Sequence, residues 1–424
     1  MLPATYRTLL RTPGATAFFS SATAGRVGMA MTSLGLVWLV HGRTGSYAVA
    51  GLVTGAFAVA EALAGPQLGR LIDRFGQTRV LPPVLLAHAV AVAALLALVA
   101  GGSPVWLMTA TGAVAGATIP QLGALSAARW SALLRGGRTT ELPAAFALES
   151  LANGLAYLAG PVVISAVGAS GHPAIGSALA AVLVVAGGLA FAVQRRTAPS
   201  AASEARDRRL ANRSLLRPGF AVLVGINLAI GVFFGAMQVS VTALAVEHGA
   251  PAAAAPLYAA SSCGGLLTGW LYGLRRRRAA PRAQLALATS ALAGACLPLL
   301  MADSLPGAGV AIALTGTMIS PILVVATVLT ESAVHRHALT QAFTWLNSAS
   351  AAGSAAAAAA SGRAVDAVGA HGGFAIASAA TATMMVLGLA GWRALRVRGE
   401  PVVGDRGGRP RRERQPEAGG ATEP

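Results

Sequence analysis

Gly69-Arg70-Leu71-Ile72-Asp73-Arg74-Phe75-Gly76-Gln77-Thr78-Arg79 is a short charged interruption between two long apolar runs. The run before it extends back to about residue 47, and the run after it continues from about 80 to 100. Each is about 20 residues long, which at 1.5 Å per residue spans the hydrocarbon core of a bilayer as a helix. Within the interruption, Gly69 and Gly76 allow close packing and a tight reversal. Asp73 can offer its charge to the positive, N-terminal end of a neighbouring helix. Arg74 and Arg79 can meet carboxylates or loop carbonyls.

The same pattern fills the chain. Over its 424 residues, 55% are apolar and 11% charged, and mean hydropathy is +0.63; soluble domains carry about a quarter charged residues. Twelve apolar spans follow, near 14–40, 47–69, 80–100, 104–127, 143–168, 173–194, 218–246, 252–274, 283–302, 306–330, 341–364 and 371–393. The expected fold is an all-α polytopic membrane protein, with twelve transmembrane helices in two six-helix pseudo-symmetric bundles. Residues 1–194 form the N-terminal bundle, 195–217 a cytoplasmic linker with some amphipathic helix, and 218–393 the C-terminal bundle. Residues 394–424 form a disordered cytoplasmic tail with almost nothing to bury. Gly14–Val40 is too long for a signal-peptide core and reads as an uncleaved first helix.

The net charge of +17 comes entirely from 32 arginines, with no lysine. They stand in clusters between apolar runs rather than along one face interleaved with aromatics, which argues against nucleic-acid binding. In the twelve-span alternation, 29 fall on the side of the N-terminus. Only Arg43 and Arg363 fall opposite, and Arg26 lies inside the first span. The positive-inside rule then places both termini in the cytoplasm of a multi-pass protein of the cell membrane. Cys263 and Cys296 both sit in apolar runs and read as small packing residues.

The two halves echo each other faintly. Ala145-Phe146 and Ala342-Phe343 open spans 5 and 11, and Ala166-Val167-Gly168-Ala169 and Ala367-Val368-Gly369-Ala370 close them. Gly69 matches Gly269, but Asp73 falls opposite Gly273. Such a six-plus-six duplication suits two halves that rock around a site at mid-membrane.

The segment around Asp73 resembles the loop signature of the major facilitator superfamily through Gly69, Leu71, Asp73, Arg74, Gly76 and Arg79. Gln77 and Thr78 stand where further basic residues are expected. The resemblance implies that Asp73 meets the eleventh helix, which begins near Thr340, and that these contacts close the cytoplasmic side. Gly154, Gly160 and Pro161 in span 5 partly resemble the superfamily's antiporter motif, although Val163, Ile164 and Ser165 stand where its paired glycines would follow. Span 11, with Phe343, Trp345, Asn347, Gly353, Gly362 and Asp366, resembles bacterial efflux-type members.

Ionisable groups inside the spans are costly and mark candidate function. Arg26 lies near the middle of span 1. Glu61 in span 2 is about one helical turn away in depth, so the two are able to pair. Glu149 lies about two turns to the cytoplasmic side of the centre of span 5, with Asn153 one turn above it on the same face. Either Arg26 and a glutamate form a structural ion pair, or a glutamate carries protons while Arg26 tunes it or meets an anionic group of the substrate; Glu149 is the first choice and Glu61 the second. Asn227, Gln238, Trp345 and Asn347 are candidate lining from the second half, with Phe233 and Phe234 nearby. His88 reads as a packing residue, and His335 and His337 lack further ligands for a metal site.

No nucleophile–base pair, phosphate loop or cofactor motif stands out, so an enzyme is not expected, and no cofactor or metal is implied. The expected function is proton-coupled export, by a monomer, of a small apolar or amphiphilic compound. Its partners are that small-molecule substrate, protons and the lipid bilayer, with no nucleic acid. The rivals are transport of a polar solute such as a sugar, and a non-transporting receptor or scaffold.

Overall fold

The computed structural model describes residues 4–169, 172–201, 205–250, 253–274, 279–302 and 304–395. Arg275–Arg278 and residues 396–424, most of the tail expected to be disordered, lie outside them. The described residues are almost entirely helical, with no strand among them. A short amphipathic α1 (Ala4–Arg11) precedes α2 (Ala15–Thr44), α3 (Tyr47–Phe75), α4 (Gln77–Ala100), α5 (Val105–Thr118), α6 (Leu122–Leu134), α7 (Leu142–Ala169) and α8 (Pro173–Val193). After α9 (Ala205–Leu215) come α10 (Pro218–Glu247), α11 (Ala254–Leu274), α12 (Pro281–Cys296), α13 (Leu305–Ala333), α14 (Leu339–Val368) and α15 (Ala370–Ala390). Among the described residues, nine helices are long and apolar enough to cross a membrane: α2, α3, α4, α7, α8, α10, α12 with the turn after it, α13 and α15. The Ala-, Gly- and Ser-rich α11 and α14 and the short α5 and α6 are not among these.

Two expectations about continuity are corrected. The span near 104–127 is broken: α5 stops at Thr118 and α6 restarts at Leu122. Pro120 explains the break, since it lacks an N–H and disfavours helical backbone at Ile119, whose φ and ψ are −67° and 125°. The segment from Gly69 to Arg79 is also not a loop. Helix α3 runs to Phe75, and Gly76 alone (φ 91°, ψ 146°) separates it from α4. A single left-handed-side glycine makes the whole reversal, which a side chain would strain.

Packing follows small residues. Within the first half α2 lies on α8, α7 and α3, while α5 lies on α3 and α4. Within the second, α10 lies on α14 and α15, and α13 lies on α11 and α12. Backbones touch where glycine removes the side chain. A Cβ on Gly28 would sit 2.5 Å from the Ala180 carbonyl, and one on Gly231 or Gly235 would overlap the backbone of α14. Between apolar helices in lipid, such close packing replaces the hydrophobic drive of a soluble core.

The halves meet mainly through α3 on α14 and α7 on α11 and α13. These contacts lie toward the face that carries α1, α9 and the turn at Arg336–Ala338. There Gly69 lies so close to α14 that a Cβ would sit 2.8 Å from Gln341 Cα. Phe146 meets Phe343 edge-on at 6.2 Å between centroids, and Arg135 lies 3.7 Å from Glu331. Toward the other face the helices part. A Cβ on Gly51 or Gly55 of α3, or on Gly362 of α14, would meet nothing within 4 Å. Tyr157 of α7 is 72% exposed. The molecule is closed at its arginine-rich face and split open at the opposite one.

Candidate transport site

The break between α5 and α6 shapes the candidate site. Because Gln121 is held outside helical geometry (φ −82°, ψ 68°), its side chain is free to reach between helices. Helix α6 then restarts and carries Gly123, Ser126 and Trp130 on one face at spacings of three and four. That face meets α2 and α7.

Arg26 of α2 is 4% exposed and its Nη2 pairs with Glu149 Oε2 of α7. Glu149 Oε1 accepts from Ser126 Oγ at 2.6 Å and from Trp130 Nε1 at 2.8 Å. Trp130 is itself fully buried and meets Phe18 edge-on at 4.9 Å. The carboxylate is therefore held by three donors from two helices. On the guanidinium, Nε and Nη1 are buried with no partner among the described residues. Gly123 leaves room beside them: a Cβ there would lie 3.5 Å from Arg26 Nε and 3.8 Å from Asn153 Oδ1. Asn153, a turn along from Glu149, is exposed in the gap.

A second polar chain crosses between the halves. Gln121 Nε2 donates to Glu61 Oε1 at 2.8 Å, and Asn347 Nδ2 of α14 donates to Gln121 Oε1 at 3.2 Å. Tyr157 lies within electrostatic range of both Glu61 and Arg26. The two chains thus share the floor of the gap, beneath an exposed tyrosine. The pair thought possible between Arg26 and Glu61 does not form; Glu149 holds Arg26, and Glu61 is held by an amide.

The residues expected to form a gating loop lie toward the arginine-rich face. Asp73 Oδ1 accepts from Thr340 N at 3.3 Å and Oδ2 from Gln341 N at 2.8 Å, at the start of α14. These are orphan donors of a helix N-terminus, where a carboxylate also meets the positive end of the dipole. Arg74 and Arg79 are exposed and make no ion pair among the described residues; Arg74 stacks on its neighbour Phe75 at 4.9 Å. Gly76 makes the reversal described above. Gln77, standing where a basic residue was expected, is 2% exposed and accepts from Arg129 Nε at 2.8 Å.

Other sequence candidates are not brought to the floor. Asn227 is buried and donates to Leu223 O of its own helix, 2.9 Å away. Gln238 lies about three turns further along the same face of α10 and is exposed. Trp345 lies roughly 200° round α14 from Asn347. Gly154 admits Leu266 of α11, and Gly160 admits the α2 backbone at Ala30. Helix α7 passes through Pro161 unbroken. His88 Nδ1 meets Ala115 O at 3.0 Å, and no group of three or more metal-ligating side chains gathers among the described residues. Gln121, Ser126, Trp130 and Tyr157 were missed. The one usable signal was Pro120-Gln121 inside an apolar run, since a proline followed by an amide there implies a broken, polar-lined span.

The profile of the Major Facilitator Superfamily matches residues 16–358. Comparison with curated proteins finds no match in sequence. Among solved structures, the chain is similar to a bacterial homologue of the iron transporter ferroportin in its outward-facing state, with TM-score 0.72 and 14% identity, covering 90% of this chain and 99% of that one. It is also similar to the human organic anion transporter MFSD10, with TM-score 0.62 and 17% identity over 93% and 100% of the two chains. The E. coli fucose:proton symporter FucP gives TM-score 0.65 and 16% identity over 88% and 98%. At such identities the likeness speaks for the fold.

Proposed function

The chain belongs to the major facilitator superfamily, a multi-pass membrane transporter by fold, and from that premise we propose that it exports a small apolar or amphiphilic compound in exchange for protons, by alternating access. In this reading the nine long apolar helices are joined by α11, by α14 and by the broken α5–α6 pair, giving twelve spans. Residues 1–194 and 218–393 are the two six-helix bundles that rock about the site, and 195–217 links them. The arginine-rich face is cytoplasmic, along with both termini, by the charge asymmetry of the loops. The helices part on the outside and meet on the inside, so the arrangement corresponds to an outward-facing state of a monomeric transporter.

The observation that carries the proposal is the Arg26–Glu149 pair, buried at the floor of an open gap. Ionisable groups at such depth in a transporter mark ion and substrate pathways. Glu149 is the proton carrier, and Glu61, Gln121, Asn153, Tyr157 and Asn347 are the groups a substrate meets. Few of these are charged, and the walls above them are Ala- and Gly-rich, which suits a compound with one polar end. The chain of Glu61, Gln121 and Asn347 favours a second reading, a wholly polar solute such as a sugar.

The test is reconstitution in liposomes loaded with a pH-sensitive dye, challenged with a panel of amphiphilic compounds and sugars. Amphiphiles are expected to drive proton movement in the wild-type protein and not in Glu149→Gln. Proton movement with sugars alone would select the second reading, and equal movement in the variant would remove Glu149 from the coupling.

A further inference from the structure

Helix α1 is eight residues long, yet Tyr6 and Leu9 are both fully buried while Arg7 and Arg11 are exposed. The helix is tied to the first half. It turns into α2 through Gly14 (φ 82°), and Arg138 Nη1 in the turn before α7 donates to Thr12 Oγ1 at 3.0 Å. Tyr6, however, reaches the second half. Its hydroxyl donates to Trp270 O near the end of α11 at 2.7 Å. Its ring lies on Gly273 so closely that a Cβ there would overlap the hydroxyl and come within 2.7 Å of Ala147 Cβ in α7.

Gly273 is the position that falls opposite Asp73 when the two halves are compared, as Gly269 falls opposite Gly69. In the first half, an acidic side chain at the end of α3 closes on α14. In the second half, the end of α11 carries no side chain at that place, and α1 supplies one from outside the bundle. We propose that Tyr6 is the second latch of the inner gate, binding the end of α11 to the first half as Asp73 binds the start of α14.

The geometry fits the task. A donor at the C-terminal end of a helix meets the negative end of its dipole, the mirror of a carboxylate at an N-terminus. Burial pushes the Tyr6 phenol up to about 12, so it stays a donor throughout the physiological range. Opening the inner face requires α11 to leave α7, which withdraws Gly273 from the ring and breaks the bond to Trp270.

The inference rests on the alternating-access reading, and the test separates the two. The exposed Cys263 is replaced by Ser, and Cys296 is buried and silent. Ser348, which faces Gly65 between α3 and α14, becomes the reporter as Ser348→Cys, labelled in inside-out vesicles by a membrane-impermeant maleimide. Asp73→Asn serves as the gate control. Tyr6→Phe, which keeps the ring and loses one hydrogen bond, is expected to raise the labelling rate about three- to tenfold. Tyr6→Ala, which removes the ring, and Gly273→Ala, which obstructs its seat, should each raise it further, and the double variant should be no faster than the faster single one, because both break the same contact. If Asp73→Asn accelerates labelling while Tyr6→Phe and Tyr6→Ala leave it unchanged, the latch is overturned and alternating access stands. If none of the three changes the rate, the gate itself is overturned. A fall in melting temperature for Tyr6→Ala without faster labelling also overturns the latch, since α1 is then only a strut.

Discussion

Replacing Glu149 with Gln separates a proton carrier from a helix fastener, because the two carboxylate oxygens have different partners. Oε1 takes the hydrogen bonds of Ser126 and Trp130, while Oε2 faces Arg26. On the proposed mechanism, a proton taken up at Oε2 displaces Arg26 and leaves the other two bonds in place. In Glu149→Gln the amide oxygen keeps both bonds and the amide nitrogen occupies the position of Oε2, where it cannot accept from Arg26. The variant is an isostere of the protonated state. Breaking a buried ion pair by removing one partner costs about 3–5 kcal/mol. One proton falling through roughly 150 mV supplies about 3.5 kcal/mol, at about 2.3 kcal/mol per 100 mV. The two energies are comparable, so a cellular gradient is able to drive the exchange of Arg26 for a proton. In liposomes Glu149→Gln is expected to insert normally, to exchange substrate across the membrane without a gradient, and to lose at least tenfold in substrate-induced proton movement. The reasoning fails if proton movement persists at the wild-type rate. It fails also if Glu149→Gln is unstable and inactive in exchange, and Arg26→Gln with Glu149→Gln restores both stability and proton-coupled transport, because the pair then only fastens α2 to α7.

Three further substitutions follow from the same geometry. Asp73→Asn removes the charge that holds two backbone donors of α14; hydrogen bonds to charged groups contribute about 1.5–3 kcal/mol, so inward opening, read by labelling of Ser348→Cys, should rise at least tenfold. Glu61→Gln retains an acceptor for Gln121 and should leave proton-driven flux within about threefold of wild type in the dye assay; loss there with normal flux in Glu149→Gln would exchange their roles. Arg129 is fully buried with no carboxylate partner among the described residues, held by Gln77, Thr197 and the carbonyls of Phe191 and Gln194 at 2.8–3.0 Å and stacked 3.7 Å over Phe191. Lysine has neither the planar fork nor the stack, so Arg129→Lys should lower the melting temperature of the detergent-purified protein by several degrees; an unchanged value refutes this role.

What was legible in the sequence was whatever length and charge alone decide. Apolar runs of about 20 residues bounded by arginines announce helices in a membrane, because lipid forces every span to satisfy its own backbone. The segment around Asp73 was legible because a contact with a helix N-terminus needs an acid and close-packed glycines. The site was less so. Its depth was visible in Arg26, Glu61 and Glu149, but which carboxylate meets Arg26 depends on the rotation of α2 against α7 and on Gly123, and no spacing along one helix encodes that. Gln121, Ser126 and Trp130 were hidden by the broken fourth span, which in sequence passes for one continuous apolar run. Tyr6 lies ahead of the first apolar run, and its contact with Gly273 becomes visible only in the fold.

On the proposed mechanism, the coupling group and the contacts of the closed face share one element. Along α7, Phe146 packs on Phe343 near the start of α14, and Ala147 meets Gly273 beside Tyr6. Glu149 follows within the same turn, facing Arg26. The helix that would gain or lose the ion pair on the proposed mechanism is therefore the helix on which α14, through Phe343, and α11, through Gly273, both pack. When Glu149 is paired, α7 is drawn to α2 and its inner end is fixed where Phe146 and Ala147 receive α14 and α11. On the proposed mechanism, release of Arg26 removes that restraint where both contacts must part. A transporter needs a link between the charge at its site and the closure of its inner face, and the link proposed here is less than one turn of helix long.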